Sequence, residues 1–339
     1  SCGKAIILDG GWRRIMGKWT RLCGATASTT TLQSPNGRAL EVNNSSGKVR
    51  VRHLTLTTYA DVPEPGRSHY AVFAVGTPAK PVSLDLEDVV LAPGKGEEGA
   101  AAKEADPVGV RVCDGRSDCA SASPGGGGKG ADGPPKGTFT SAGYVVPISP
   151  SGGQGSPGGN GTKGGAATSY SACDVSCTIS GPQCVPAKGS KSVPAGTCGC
   201  GGEGGKGGPA GRGGGASIGL FVSGSAKVVV LASSIRTQVG GNGSPPGMAG
   251  KGASGGAGKA TPETCCANTC PTSATGADCT SATPTAPAVC SDARPAIPAG
   301  GPGGNGGDGG PGAHGIGGPS ICVVAHGGGD AQIGESVDL

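Results

Sequence analysis

The stretch from Gly300 to Gly318, GGPGGNGGDGGPGAHGIGG, has glycine at every third position without a break: Gly300, Gly303, Gly306, Gly309, Gly312, Gly315 and Gly318. A period of three matches an extended helix of three residues per turn, rising about 3.1 Å per residue. One edge of such a rod carries no side chain, so a neighbouring rod approaches to backbone contact and hydrogen-bonds along its length. The period returns at Gly152, Gly155, Gly158, Gly161 and Gly164, at Gly202, Gly205, Gly208, Gly211 and Gly214, and at Gly252, Gly255 and Gly258. Several glycine-rich rods of polyproline-II or polyglycine-II type are therefore expected to lie side by side as a layer. A collagen triple helix fits less well, because it needs long uninterrupted tracts in three chains and these tracts are short, with extra glycines.

The rest of the composition agrees with a building material. Of 339 residues, 72 are Gly, 28 Pro and only 9 aromatic (2 Trp, 4 Tyr, 3 Phe), far from ordinary globular usage, so a large aromatic core is excluded. Glycine loses more backbone entropy on folding than any other residue, and such a chain needs hydrogen bonds and covalent links to hold one shape. The 15 cysteines supply the links and point to an oxidising, secreted or cell-surface setting. Their odd number leaves at least one without an intrachain partner. A formal charge of +4 spread over single residues offers no polybasic tract for nucleic acid, and no apolar run is long enough to span a bilayer. The chain opens on Ser1 with no secretory signal, which reads as removal of a leader or of a larger N-terminal part.

Between the glycine tracts, short apolar alternations repeat with a fixed internal spacing. Ala39 to Val42 is followed by Val49, Val51, Leu54 and Leu56; Ala71 to Val75 by Leu84, Leu86, Val89 and Leu91; Ile218 to Val222 by Val228, Val230, Ser233 and Ile235. A looser fourth copy runs from Ser320–Val324 to Val337–Leu339. Alternation predicts strands, and a repeated two-strand unit predicts a solenoid. The expected fold is all-β, a right-handed parallel β-helix flanked by the glycine rods and stapled by disulfides. Its parts are an N-terminal β segment at 1–37, coils at 38–92, a Gly/Cys-rich insertion with rods at 93–216, a coil at 217–239, a second such insertion at 240–318 and a last coil at 319–339. Both ends read as uncapped strands, open for end-to-end stacking or left so by truncation. Partial strands are also read at 106–113 and 141–148.

The segment Ile7-Leu8-Asp9-Gly10-Gly11-Trp12, with Trp19 following, and the unit ending Val89-Val90-Leu91-Ala92-Pro93-Gly94 resemble the right-handed β-helix repeat proteins secreted or displayed by gliding, predatory soil bacteria. That resemblance implies a secreted or surface protein and brings no catalytic signature. The chain departs from it in starting close to the GG-Trp segment, where those proteins carry further coils.

Twelve cysteines are candidates for structural disulfides: the local pair Cys113 and Cys119, a cluster of Cys173, Cys177, Cys184, Cys198 and Cys200, and a cluster of Cys265, Cys266, Cys270, Cys279 and Cys290. Neither cluster has paired CxxC knuckles at a zinc-finger separation, so no metal and no cofactor is expected, and the pairing stays open. Gly303 to Asp308 matches the start of a calcium-binding GGxGxD repeat but lacks the large apolar residue that should follow. Asp85, Glu87 and Asp88 stand opposite Arg50, Arg52 and His53 one unit earlier, an arrangement suited either to general acid–base chemistry on a polysaccharide or to a salt-bridged outer face. Scarce aromatic platforms favour the second, and no catalytic residue is nominated. The expected function is a non-enzymatic structural subunit of an extracellular filament or coat whose partner is another copy of itself. The rivals are a surface adhesin binding glycans or a cell surface, an ice-binding module, and a β-helical polysaccharide lyase or hydrolase.

Overall fold

In the computed structural model, the structure describes residues 5–16, 18–21, 30–44, 47–106, 108, 123–133, 135–162, 165, 168–180, 183–193, 195–260 and 297–339. Among these there is no helix, and seventeen strands follow one another in chain order. They are β1 (Ile6–Asp9), β2 (Trp12–Ile15), β3 (Lys18–Arg21), β4 (Thr31–Ser34), β5 (Arg38–Asn43), β6 (Lys48–Thr58), β7 (His69–Gly76), β8 (Val82–Ala92), β9 (Thr138–Thr140), β10 (Gly143–Val145), β11 (Thr168–Ser180), β12 (Gln183–Val193), β13 (Ser217–Gly224), β14 (Ala226–Leu231), β15 (Ser234–Ile235), β16 (Ser320–His326) and β17 (Asp330–Ile333).

Two parallel sheets carry the core. One has seven strands in the order β1-β6-β8-β14-β17, with β4 also pairing β6 and β15 pairing β8; the other has four, ordered β16-β13-β7-β5. The remaining strands form three separate antiparallel pairs, β2–β3, β9–β10 and β11–β12. This corrects the expectation of a right-handed β-helix. The all-β class holds, but among the described residues no β-helical solenoid is shown: the pairing gives two parallel sheets and three local hairpins. The repeat spacing fixes which residues lie abreast and says nothing of how the connections run, so a coil did not follow from it. In the fourth copy β17 at Asp330–Ile333 joins the large sheet beside β14, and Asp338 bridges Ser234 of β15, its N–H donating to Ser233 O and its carbonyl accepting from Ile235 N–H.

The registers align the apolar repeats across strands. Val49, Leu84, Val228 and Ala331 stand in one row, Val51, Leu86, Val230 and Ile333 in the next, and Leu40, Val72, Leu220 and Val323 form a row of the smaller sheet. The inner faces pack together into one apolar cluster with Leu56, Leu84, Leu86 and Leu91 fully buried, each worth about 1.5–3 kcal/mol relative to exposure. A second cluster of Tyr70, Phe73, Ile218 and Phe221 packs with Phe139 and Tyr144 of the β9–β10 hairpin, Phe73 and Phe221 stacking at 4.9 Å between centroids. The three-residue step within each repeat, from Val51 to Leu54 and from Leu86 to Val89, has a local cause. His53, Asp88 and Ala232 have φ of 53°, 49° and 44°, a left-handed residue in each of three neighbouring chain segments that puts two consecutive residues outside the core and then resumes the alternation.

The glycine-rich segments lie outside these sheets and hydrogen-bond to one another at every third residue. Gly303, Gly306, Gly309, Gly315 and Gly318 donate their N–H groups to the carbonyls of Gly256, Ala253, Gly250, Ser244 and Gly241. Gly300 donates to Thr197, and a Cβ on Gly312 would collide with the carbonyl of Pro209. A second row on the same segment, Gly301, Gly304, Gly307 and Gly310, donates to Thr162, Gly159, Ser156 and Gly153 while accepting from Gly199, Gly202, Gly205 and Gly208. The segment at 300–318 is therefore the axis of the layer, contacted on several sides. Among the described glycines of the other periodic rows, Gly152, Gly155, Gly158 and Gly161 donate to Gly208, Gly205, Gly202 and Gly199; Gly164 lies outside the described residues.

Replacing Gly306 with Ala puts a methyl group into the carbonyl of Glu203, whereas a methyl on Gly127 meets nothing nearer than 3.9 Å. Gly306→Ala is expected to lower unfolding stability by about 1–3 kcal/mol in chemical denaturation, and Gly127→Ala to leave it within about 0.5 kcal/mol.

Candidate functional site

The charged residues singled out in the sequence meet on the outer face of the large sheet. Because β6 and β8 are paired with Arg50 opposite Asp85 and Arg52 opposite Glu87, Asp85 receives Lys48 at 2.8 Å and Arg50 at 3.3 Å, and Glu87 receives Arg52 at 2.9 Å. At the left-handed corner, His53 Nδ1 lies 2.8 Å from Asp9 Oδ1 and His53 Nε2 lies 3.9 Å from Asp88 Oδ2. Every acid in the row has a base beside it, in the manner of a cross-strand ion ladder. Such partly exposed pairs contribute little each.

A buried polar junction was not read from the sequence. Thr58 ends β6, His69 begins β7 and Glu97 stands at the start of a glycine-rich segment, so the three unite both sheets with the glycine layer. Gly94 N–H donates to Thr58 Oγ1 at 2.8 Å, which leaves the Thr58 hydroxyl proton for His69 Nδ1 at 2.9 Å. His69 Nε2–H then points to Glu97 Oε1 at 3.3 Å. Glu97 is fixed in turn by its main chain, its N–H donating to Arg67 O and its carbonyl accepting from Gly215. The order hydroxyl–imidazole–carboxylate matches a nucleophile relay in type, but Thr58 is 4% exposed and His69 1%, so no substrate atom reaches the hydroxyl. The junction is a structural pin. Burial holds the His69 imidazole below its ordinary pKa; the Glu97 carboxylate works against that shift and the Arg67 charge adds to it.

Of the candidate cysteines, Cys198 and Cys200 are buried and disulfide-bonded. Cys173 and Cys177 lie on β11 and Cys184 on β12, the register of that hairpin shifting between Cys173 and Cys177. Cys113, Cys119, Cys265, Cys266, Cys270, Cys279 and Cys290 lie outside the described residues. Cys322, on β16, is a free, half-buried thiol. In the calcium-like stretch, Asp308 Oδ1 and Asn305 Oδ1 accept the N–H groups of Gly252 and Gly255 at 2.9 and 3.3 Å, so both side chains serve the glycine layer. Among the described residues no group of three or more His, Cys, Asp or Glu side chains is placed to hold a metal ion.

No family model, no curated protein and no solved structure matches this chain.

Two measurements probe these sites. Asp85→Asn is expected to cost less than about 1 kcal/mol, an effect that shrinks further in 1 M salt. For His69, whose native pKa is depressed, the unfolded chain takes up a proton first as pH falls through about 6.5. The stability tied to the neutral ring is complete above that pH and declines below it, so the denaturation midpoint should drop between pH 7.5 and 5.5, and His69→Gln should flatten that part of the profile.

Proposed function

We propose that this chain is a structural extracellular protein that assembles with copies of itself into a filament or coat. The observation that carries the reading is the apolar strand edge at β1. Ile6, Ile7 and Leu8 are 55%, 59% and 36% exposed, and among the described residues β1 pairs with β6 alone. An open, apolar strand edge is a template for pairing with another chain. The opposite side of the same sheet ends in β17, and the smaller sheet ends in β5 and β16. In a parallel sheet the two edges are different surfaces, so joining one to the other repeats head to tail and gives an open assembly. The glycine layer and the buried disulfides at Cys198 and Cys200 suit a unit that must resist proteases and load, and disulfides fit a secreted location. Among the described residues no helix is long and apolar enough to cross a membrane.

Negative-stain electron microscopy of the non-reduced protein tests this reading. Fibres or sheets with a regular repeat are expected, and Ile7→Lys should abolish them while leaving the thermal midpoint of the dispersed protein within a few degrees. Particles that stay monomeric at millimolar concentration would overturn the proposal.

A further inference from the structure

A cleft of about 400 Å³ opens beside the start of β5 and is lined by Arg38, Glu41, Glu64, Arg67, Tyr70 and Tyr144 among others. We propose that it binds a neutral, polyhydroxylated ligand, a saccharide unit of a glycan chain.

The argument begins with the two arginines, each held by a glutamate three residues away. Arg38 Nη1 donates to Glu41 Oε1 at 2.9 Å and its Nη2 donates to Ala142 O at 3.3 Å. Its guanidinium lies 3.7 Å from the Phe73 ring centroid and 5.9 Å from that of Tyr70, ring contacts that hold it at the cleft it lines. Arg67 Nε donates to Glu64 Oε2 at 2.8 Å, its Nη2 donates to the same oxygen, and its Nη1 reaches Pro35 O at 3.4 Å. The cleft is therefore lined by two guanidinium–carboxylate pairs, with donors and acceptors side by side.

The supporting backbone is equally constrained. Gly37 and Gly66 occupy left-handed conformations at φ 75° and 76°, and Tyr70 N–H donates to Gly37 O at 2.7 Å. The hairpin wall is pinned where Tyr144 N–H donates to Tyr70 Oη at 2.7 Å. Burial raises the pKa of both phenols, so they stay protonated hydroxyls at neutral pH.

Charge selects the ligand class. Two cationic and two anionic side chains cancel, so neither a phosphate nor a cationic group finds uncompensated charge of opposite sign. A pair of neighbouring sugar hydroxyls meets what the cleft offers, since each hydroxyl accepts from a guanidinium N–H and donates to a carboxylate oxygen. The half-buried Tyr144 adds an aromatic wall of the kind ligand clefts use beside a few fixed polar groups. No residue of β1 lines the cleft, and the assignment does not depend on self-assembly.

The test uses the intact, disulfide-bonded chain. An immobilised panel of neutral hexose, pentose and N-acetylhexosamine oligosaccharides is probed beside uronate and sulfated oligosaccharides, and the tightest neutral binder is then titrated by calorimetry. Binding to at least one neutral class is expected, weakened about tenfold by Glu64→Gln and by Glu41→Gln, the worth of one charge-assisted hydrogen bond. Both carboxylates are exposed enough that the thermal midpoint should stay put. Absence of binding to every neutral class, binding confined to the anionic sugars, or affinity unchanged in both variants would overturn the assignment.

Discussion

Two backbones can hydrogen-bond on several sides at once only where no Cβ stands between them, and the glycine layer rests on that condition. At Gly202, Gly205, Gly303, Gly306 and Gly309 an added methyl would overlap a neighbouring carbonyl. Removing the side chain costs backbone entropy, which the layer offsets by satisfying donors and acceptors on adjoining segments along its whole length. The few side chains present are made part of the same scheme. Asn305 and Asp308, three residues apart, cap N–H groups of the segment beside them, as Asn160 does for Gly201.

Much of this order is legible in the sequence, and the limits are instructive. The apolar rows were readable because Val49, Leu84 and Val228 repeat at constant offsets, and the registers put them abreast. The cause of the three-residue step was hidden, since nothing in His53, Asp88 or Ala232 announces a left-handed residue; Ala is among the least expected there. The second row at Gly301, Gly304, Gly307 and Gly310 looked like a departure from a clean period, whereas it marks a segment with neighbours on more than one side. A coil inferred from the repeat failed because periodicity constrains lateral alignment without constraining the path between strands. The ion ladder was visible as Arg50 and Asp85 in corresponding places. The Thr58–His69–Glu97 junction and the cleft were not, because their partners come together from distant positions, such as Arg38 with Ala142 and Tyr70 with Tyr144.

That junction shows how a sheet protein and a glycine layer, which share no side-chain chemistry, are joined. The sheets bring the Thr58 hydroxyl and the His69 imidazole, and the start of the glycine-rich segment brings the Glu97 carboxylate and its backbone groups. His69 N–H donates to Ala216 O, and Ser217 N–H to Pro319 O, carrying the strand ladder of β13 into the glycine segments without a break. The buried polar chain through His69 then sets one orientation between the two materials, where apolar contact alone would permit sliding.

The bonds in the glycine layer all run across its segments, and the covalent backbone runs along them. Load applied along a segment is therefore shared in shear by every cross-link on its length, which must fail together. Load applied across the layer opens one row and then the next, like a peeling tape. The molecule is consequently a directional material, stiff along the axis of 300–318 and weak at right angles to it, and an assembly built from it would inherit that grain.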